Sequence, residues 1–526
     1  MLRTGIRESF RPNNLLFCGS GLLVGVTLII TSTLVSPLLV FVMILASAVF
    51  IYAALKRPEI VVLGYLLITS TVIDVQVLPR IPIGVGRLLI TDIILLAMLG
   101  LILIRFLVKS DFRIIHTQLD LPLLAFLGIA ILATFLAIGF PERAVTLTYQ
   151  MTHLGERTPI GQLPLTLNDS LGEARTVFSY LIFFIVINLV REERQLRTLL
   201  RGLFFLASGV ALLMIAQFLL GNDVPILPGR VETLDVEGAA FMGVTRINPP
   251  GEPLVFITFL AMTATLVIDK LQLKRMWIIP LWGLTGLGVV LTFRRNLWIA
   301  VFIAFFLLAV LCWRRVWLRM LGGTLVAVSI AAIVLLQVQT QPKSGINKLV
   351  IGAFDRLDSL TKPQTFKNRD SSLRWRDFEY KYAMPQIASN SLIGLGLGAT
   401  YRPWVNGKDW VGKDEEGVDK EADNRRFIHN GHLAIIVKSG MLGYLSFLVF
   451  SIIALVRGFK FWQRVPTPEF QAILLGFTLA YLGILIGSIV NPMIMKSNWT
   501  PVIGFMLGIN EVMLRKVITK PMGTVA

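Results

Sequence analysis

Two histidines lie where a long polar segment of the chain gives way to an apolar stretch. They are His429 and His432, in the run Phe427-Ile428-His429-Asn430-Gly431-His432-Leu433, and the whole chain contains 4 histidines. Because histidine takes up and releases a proton near neutral pH, His429 could act as a general base toward a hydroxyl group at the edge of a membrane. The alternative is an interfacial histidine whose ring is satisfied by a backbone carbonyl group.

His432 follows His429 by three residues, close to one turn of a helix. This spacing predicts that the two rings share a helix face. A His-x-x-His pair could also hold a metal ion, but no third ligand lies nearby in the sequence. We therefore predict neither a metal nor another cofactor at this position.

Two adjacent arginines, Arg294 and Arg295, form with Asn296 almost the whole link between two apolar stretches. An arginine against hydrocarbon costs about 2.5–3.5 kcal/mol on insertion scales, and no acidic residue lies nearby in the sequence. Guanidinium groups bind phosphate oxygens in a bidentate way, so the pair indicates a diphosphate ligand. The alternative is that both side chains extend to lipid headgroups.

Arginines in two other polar segments could contact the same anion. Arg246 lies in the irregular run Thr245-Arg246-Ile247-Asn248-Pro249-Pro250-Gly251, and Arg230 lies in the same loop. Arg374 lies in the stretch 373–388, where aromatic and basic residues are mixed as in an interfacial amphipathic helix. Arg246 and Arg230 could each complete an anion site or be solvated, and Arg374 would point toward lipid headgroups or substrate.

A glycine-rich run follows that stretch. It reads Gly394-Leu395-Gly396-Leu397-Gly398 and has some likeness to a nucleotide-binding loop. The run lacks the Lys-Ser/Thr pair of a P-loop and any βαβ context. We therefore interpret it as a turn.

The composition shows which kind of fold must position these residues. Hydrophobic residues make up 55% of the 526, charged residues 16%, and the mean hydropathy is +0.73. Soluble domains carry about 25% charged residues, so the sequence predicts an all-α polytopic membrane protein. The net charge of +18 is better explained by basic cytoplasmic loops than by nucleic-acid binding. Cys18 and Cys312 both fall in apolar stretches, which argues against a disulfide framework.

The apolar stretches predict about fourteen transmembrane helices, the first of which would be a retained signal-anchor. A polar hairpin rich in proline and glycine, around Pro79, Pro82 and Gly84, follows the third. The predicted spans are 15–30, 38–55, 60–73, 88–108, 121–138, 174–190, 203–220, 254–268, 277–293, 297–313, 321–336, 433–456, 470–490 and 501–514.

Short basic connections alternate with long connections along the whole chain. The positive-inside rule then places both termini in the cytoplasm and every long segment outside. Residues 1–336 would contain helices 1–11, with outer loops near 140–172 and 222–250. Residues 337–428 would form a large extracytoplasmic loop between helices 11 and 12, and residues 429–526 the last three helices and a cytoplasmic end. Nucleotide substrates are not expected outside, so any substrate would be lipid-borne or exported.

The order of these features resembles the O-antigen ligase and O-antigen polymerase family of bacterial inner-membrane glycosyltransferases. The resemblance covers the ninth to the twelfth span. It rests on an arginine in an outer turn, then a large loop that contains Arg374 and the run Asn-Ser-Leu-Ile-Gly-Leu-Gly-Leu-Gly, then His429-Asn430-x-x-Leu433 and Gly440-x-x-Gly443. It implies a type C-like transferase that needs neither metal nor nucleotide. The donor would be a glycan on polyprenyl (undecaprenyl) diphosphate, and the acceptor lipid A-core or another lipid-linked repeat.

The resemblance also implies roles for single residues. His429 matches the catalytic histidine, Arg294 or Arg295 the diphosphate-binding arginine, and Arg374 the arginine of the loop. Arg246 matches only by its position in an earlier loop. The predicted substrate-binding set also includes the two polar neighbours of the catalytic histidine, Asn430 and His432. Polysaccharide-export or chain-length proteins are further candidate partners, together with the donor, the acceptor and membrane lipids.

The sequence departs from the family pattern at two places. Lys438 and Ser439 precede Gly440 where members often have an acidic residue, and His432 stands where an aromatic residue is common. These departures concern the substrate and leave the predicted base in place.

Two other classes of protein remain open at this stage. A flippase for lipid-linked glycans would also be polytopic, but ion-coupled carriers place ionisable residues in mid-span near broken helices. Here the charged residues cluster at span ends, and no acid stands in mid-span. A non-catalytic polysaccharide assembly factor is the third reading, for which the arginines and His429 would be incidental.

Overall fold

The structure, a computed structural model, describes residues 56–73, 78, 80–83, 86–108, 112–140, 167–221, 224–233, 245–268, 277–312, 371–401 and 426–518. These residues are mostly helical, and seven of their helices are long and apolar enough to cross a membrane. The prediction of a polytopic helical membrane protein is confirmed at this level. The predicted spans 15–30, 38–55 and 321–336 and most of the segment 337–428 lie outside the described residues, so the total of about fourteen spans stays a prediction.

The elements follow one another in this order: α1 (Pro58–Thr69), β1 (Arg80–Ile83), β2 (Gly86–Leu89), α2 (Ile90–Val108), α3 (Asp120–Gly139), α4 (Leu167–Phe178), α5 (Ile182–Leu189), α6 (Glu193–Leu220), β3 (Arg230–Thr233), β4 (Thr245–Asn248), α7 (Glu252–Ile268), α8 (Ile278–Leu291), α9 (Arg295–Cys312), α10 (Ser371–Ser389), α11 (Gly431–Phe461), α12 (Pro468–Gly487) and α13 (Thr500–Ile518).

Two helices begin earlier than the apolar stretches predicted. Helix α4 begins at Leu167, so the last residues of the predicted outer loop 140–172 are helical. Helix α6 begins at Glu193 instead of residue 203. Its start is fixed by a capping box in which Glu192 and Gln195 each bond the other's backbone N–H. The basic residues of this stretch therefore belong to the first turns of the helix.

The polar loops contain two short antiparallel ribbons. Strands β1 and β2 pair Arg80 with Leu89 and Ile83 with Gly86, which confirms the predicted hairpin. Strands β3 and β4 lie in the predicted loop 222–250 and pair Arg230 with Asn248. The second ribbon matters for the site because β4 carries Arg246.

The core consists of helices that pack closely where small residues face each other. Helix α7 packs on α12, α3 on α11, and α5 on α13. At Gly476 of α12 a Cβ atom would lie 2.6 Å from the Cα of Ala261 in α7, so only glycine allows this approach. Small residues at such contacts bring helix backbones together in membranes, where burial alone gives little attraction.

The connections between helices gather at two ends of the bundle. At the first end, Gly431 N donates to Ser488 O over 2.7 Å, and Asn498 Nδ2 donates to Pro250 O over 3.0 Å. At the second end, Arg457 Nη1 donates to Gln118 Oε1 over 3.0 Å. We call these the His429 end and the Arg457 end. The grouping follows the predicted alternation of long and short connections.

Candidate functional site

His429 is clamped by a glutamate of helix α10. Its ring Nδ1 lies 2.8 Å from Oε1 of Glu379, and its backbone N–H donates to Oε2 of the same carboxylate over 2.9 Å. The Glu379 side chain is 1% exposed, whereas that of His429 is 38% exposed. The carboxylate is therefore enclosed, and the imidazole lies between it and the surroundings.

This contact fixes which ring nitrogen of His429 carries the proton. An ionised carboxylate only accepts hydrogen bonds, so Nδ1 must be the protonated nitrogen. Nε2 then keeps its lone pair on the exposed side of the ring. The ring of Phe427 stands edge-on to the imidazole, with centroids 5.0 Å apart at 90°, and restricts its rotation. A neutral histidine held in this way is an oriented proton acceptor.

Helix α10 is itself anchored by a small apolar cluster. Its Ala383 packs with Tyr401, Ile428, Leu433 and other buried residues of the segments that flank His429. The hydroxyl of Tyr401 donates to Phe427 O over 3.1 Å. A helix was predicted over 373–388, and α10 confirms it, with its Glu379 face packed on protein.

Asn430 fixes the start of helix α11. Its side-chain Oδ1 accepts from the backbone N–H of Leu433 over 3.0 Å, as an N-cap does. Its Nδ2 donates to the hydroxyl of Tyr380 over 3.2 Å, which ties the cap to α10. Asn430 therefore positions His429, the residue just before it.

His432 does not share a face with His429, so that prediction was wrong. Helix α11 begins at Gly431, and His429 therefore precedes the helix. The Nε2 atom of His432 lies 2.9 Å from Leu485 O, and its Nδ1 lies 3.4 Å from the Tyr444 hydroxyl. Both ring nitrogens face partners inside the bundle. Among the residues described, no group of three or more His, Cys, Asp or Glu is placed to hold a metal ion.

Arg294 has an acidic partner that lies far away in the sequence. Its Nη1 is 2.8 Å from Oε2 of Glu252, and its Nε donates to Oδ1 of Asn248 over 3.0 Å. The side chains of Arg294 and Glu252 are 8% and 2% exposed. Arg294 therefore does not extend to lipid headgroups. Its positive charge is balanced by Glu252, although no acidic residue lies near it in the sequence. Arg295 is half-buried at the start of α9.

Polar side chains around this ion pair leave hydrogen-bonding capacity. Oε1 of Glu252, Nδ2 of Asn248 and Nδ2 of Asn296 are buried without a hydrogen bond within the described part of the chain. Arg246 stands two residues before Asn248 on β4, so both side chains lie on one face of the ribbon. Its cross-strand neighbour is Glu232. The structure thus places Arg246 two residues along β4 from Asn248, the hydrogen-bond partner of Arg294. We call Arg246, Arg294 and Arg295 the arginine cluster.

The segments that carry the arginine cluster and His429 both contact the end of helix α12. A Cβ atom at Gly487 would lie 3.4 Å from Nδ2 of Asn296. The next residue, Ser488, accepts the backbone hydrogen bond from Gly431, two residues after His429. Both groups therefore lie at the His429 end of the bundle. Arg374 lies in the first turn of α10, five residues before Glu379.

Helix α11 is broken at Gly440, where φ is 69° and ψ is −174°. The break leaves carbonyl groups of the helix without their usual donors. The glycine-rich run supplies them, because Leu395 N donates to Val437 O over 2.8 Å and Gly396 N to Lys438 O over 2.9 Å. On the other side of the break, Met441 N donates to Ser391 O over 2.7 Å.

The glycine-rich run is a turn, as predicted, and its glycines allow the docking. Gly394, Gly396 and Gly398 all have φ between 78° and 89°. A Cβ at Gly440 would overlap the carbonyl group of Leu392. The two glycine motifs of the sequence are thus the two sides of one contact.

A buried lysine closes this contact. Nζ of Lys438 donates to Oε1 of Glu173 over 2.9 Å and to Ala399 O over 2.6 Å. The other carboxylate oxygen of Glu173 accepts from Gly398 N over 2.7 Å. Lys438 is 2% exposed. It is an ionisable residue inside a predicted span, whereas the sequence pattern had placed charges at span ends.

Sequence reasoning missed the acidic residues of this region. Glu379, Glu252 and Glu173 each pair with a basic or titratable residue that the sequence analysis named. Their one sequence signal is that acids are scarce in this chain and that these three lie in or beside apolar or amphipathic helices. Buried carboxylates need partners, but the sequence does not say which ones.

One family model matches a part of the chain that contains this region. Residues 281–448, from α8 into α11, match the family model Wzy_C, described as O-Antigen ligase. The matched segment includes the two adjacent arginines, helix α10 and His429, so the predicted resemblance is confirmed over this part of the chain. No curated protein matches the chain.

Proposed function

We propose that the chain is a membrane glycosyltransferase that transfers or polymerises a glycan from a polyprenyl-diphosphate donor on the extracytoplasmic face. The observation that carries the proposal is the clamp of His429 by Glu379, inside the segment that matches the O-antigen ligase model. The donor would be lipid-borne, and the acceptor a lipid A-core or a second lipid-linked glycan. No metal or nucleotide takes part in this scheme.

His429 acts as the general base in this proposal. Its Nε2 takes the proton of the acceptor hydroxyl while that oxygen bonds to the anomeric carbon of the donor. The bond from the anomeric carbon to the diphosphate oxygen breaks, and its electron pair leaves with the diphosphate. Glu379 is a positioning residue: it keeps the proton on Nδ1 and stabilises the imidazolium that forms.

The arginine cluster would receive the diphosphate. Arg294 is paired with Glu252, and Arg246 and Arg295 add two further positive charges from β4 and the start of α9. The buried amide nitrogens of Asn248 and Asn296 have no acceptor in the described part of the chain and could donate to phosphate oxygens. Donors placed around a leaving diphosphate offset its growing negative charge. Arg374 is proposed as a further contact from α10.

Asn430 and His432 have different roles in this scheme. Asn430 lies next to the base and bonds the helix start and α10, so its contribution is to hold His429. Both ring nitrogens of His432 face Leu485 and Tyr444. We therefore propose a structural role for His432 instead of a glycan contact.

A transporter is not favoured over this function. Transporters do contain broken helices with ionisable residues, and α11 has both. Here, however, the break is filled by the backbone of residues 391–396, and the lysine beside it is paired with Glu173. A break closed by these contacts stabilises the site beside it.

The function is tested with purified protein in detergent and a polyprenyl-diphosphate-linked oligosaccharide, with and without a lipid A-core acceptor. Freed polyprenyl diphosphate and a new glycan are measured. A ladder of longer lipid-linked glycans without added acceptor identifies a polymerase, and product only with lipid A-core identifies a ligase. No product with either, from protein that binds the donor, would contradict the proposal.

A further inference from the structure

A cavity lies at the Arg457 end of the bundle, opposite the His429 end. It has a volume of ≈ 340 Å³ and is lined by residues 115–118, the end of α5, the end of α11 and the end of α13. Helix α11 links the two ends, because His429 precedes its first residue and Arg457 lies near its last. At 1.5 Å per residue the path along the helix is about 40 Å, and the direct distance is shorter because α11 is broken at Gly440. The cavity is therefore separate from the proposed catalytic site.

Charged side chains form one wall of this cavity. Arg457 makes a two-point ion pair with Glu511, with Nε–Oε1 and Nη2–Oε2 distances of 2.8 Å, and bonds Gln118 with its third nitrogen. Arg515 donates to the carbonyl oxygens of Ile187 and Val190 over 3.3 and 3.0 Å. Two guanidinium groups and one carboxylate line the cavity, so its formal charge is positive.

Residues 115–118, which line the cavity, belong to a segment held in place by hydrogen bonds. The backbone N–H of Ile115 donates to Oδ1 of Asn188 over 2.9 Å. Arg191 donates to Arg113 O over 2.7 Å, and its guanidinium lies 4.0 Å over the ring of Phe112. A further cation is therefore fixed beside the cavity. A preformed site of this kind costs little to organise when it binds an anion.

The surface beside the cavity is apolar and exposed. Gln118 lines the cavity, and Leu121 and Leu124 follow it on α3 with 79% and 51% of their side chains exposed. Val456, next to Arg457 on α11, is 55% exposed. Side chains of this type at the margin of a membrane span contact acyl chains. A ligand that joins a phosphate group to acyl chains matches both features.

We propose that this cavity binds the phosphate headgroup of an anionic phospholipid. Basic pockets between transmembrane helices on the cytoplasmic side are suited to such headgroups, and the positive-inside rule predicts that this end is cytoplasmic. Arg515 and Arg457 contact the phosphate, and the acyl chains lie against Leu121 and Leu124. The site is independent of the glycan chemistry at the other end.

The test uses the purified full-length protein in detergent. Phosphatidylglycerol and phosphatidylcholine with the same acyl chains, and inorganic phosphate, are added separately. Bound lipid is counted by native mass spectrometry, and unfolding temperature is measured in parallel. We expect phosphatidylglycerol to bind wild type at least about tenfold more tightly than phosphatidylcholine, which corresponds to about 1.4 kcal/mol.

Two variants and one control locate the binding. Gln118→Glu keeps an acceptor for Arg457 and adds a negative charge to the wall, and Arg515→Gln removes a positive one. Each should reduce the preference for phosphatidylglycerol about tenfold. The control is Arg464→Gln, which changes an exposed arginine at the same end and should leave the preference for phosphatidylglycerol unchanged. Gln118→Glu alone decides the matter if Arg515→Gln does not fold.

Three results would overturn the proposal. Wild type could bind phosphatidylglycerol and phosphatidylcholine with equal affinity, or both variants could keep the full preference for phosphatidylglycerol. The third is protection by inorganic phosphate without any lipid preference, which would identify a site for free phosphate.

Discussion

Nδ1 of His429 lies 2.8 Å from Oε1 of Glu379, and the same carboxylate accepts the backbone N–H of His429 through its other oxygen. The two residues are 50 positions apart, one in helix α10 and one before helix α11. The contact makes the base and the amphipathic helix one unit. A displacement of α10 would therefore change the position and tautomer of the imidazole.

The first prediction concerns this carboxylate. Glu379→Gln keeps the shape of the side chain but removes the charge that orients Nδ1–H and stabilises the imidazolium. We expect kcat for glycan transfer to fall about 10²-fold or more, with a much smaller change in the KM of the donor. Asp377→Asn, an exposed acid on the same helix, is the matched control and should retain the wild-type rate. A Glu379→Gln enzyme with wild-type kcat would show that His429 needs no positioning residue.

The second prediction separates the two roles of Arg294. Arg294→Met leaves Glu252 buried without a counter-charge and should destabilise the protein by about 3–5 kcal/mol. The double variant Arg294→Met/Glu252→Met removes both charges and should recover much of that loss in thermal unfolding. Donor binding should stay weak in the double variant, because the site has lost a guanidinium group that would bind the diphosphate. Donor affinity equal to wild type would make Arg294 purely structural.

The third prediction concerns the break in helix α11. Gly440→Ala places a Cβ against the carbonyl of Leu392, in a backbone conformation almost restricted to glycine that costs other residues about 1–3 kcal/mol. We expect a lower unfolding temperature and a loss of transfer, since the glycine-rich run can no longer dock. Gly128→Ala in α3 is the control, because a Cβ there meets nothing within 4 Å. Equal unfolding temperatures of the two variants would contradict the account of the break.

The fourth prediction concerns the buried pair of Lys438 and Glu173. In a double-mutant cycle, Lys438→Met and Glu173→Gln should each destabilise the protein, and the double variant should lose less than their sum. The interaction energy is expected to be about 0.5–3 kcal/mol, as for groups in direct contact. It is measured by thermal or denaturant unfolding in detergent. A value near zero would mean that the pair does not hold the glycine-rich run.

Local sequence patterns predicted much of the architecture. Apolar stretches gave helices α2, α3, α7 and α9 within a few residues, since about 20 apolar residues span a bilayer. The hairpin at β1–β2, the turn at residues 394–398 and the helix at α10 were also predicted. These features depend on residues that are close together in the chain, so the local sequence is enough to predict them.

Charge partners between distant segments could not be predicted. Lys438 and Glu173 are 265 positions apart, and nothing near Arg294 in the sequence points to Glu252. Such pairs depend on helix packing, which apolar periodicity does not determine. The same limit explains why the sequence predicts a shared helix face for His429 and His432: their spacing is helical, but the helix begins between the two residues.

The most direct test of the proposed mechanism compares His429→Ala with His432→Ala. Both purified variants and wild type are given a polyprenyl-diphosphate-linked oligosaccharide with acceptor, and freed polyprenyl diphosphate and glycan product are measured beside thermal unfolding. We predict that His429→Ala stays folded and makes no product. Folded His432→Ala should still transfer glycan. Product formation by folded His429→Ala at the wild-type rate would contradict the proposal that His429 is the catalytic base.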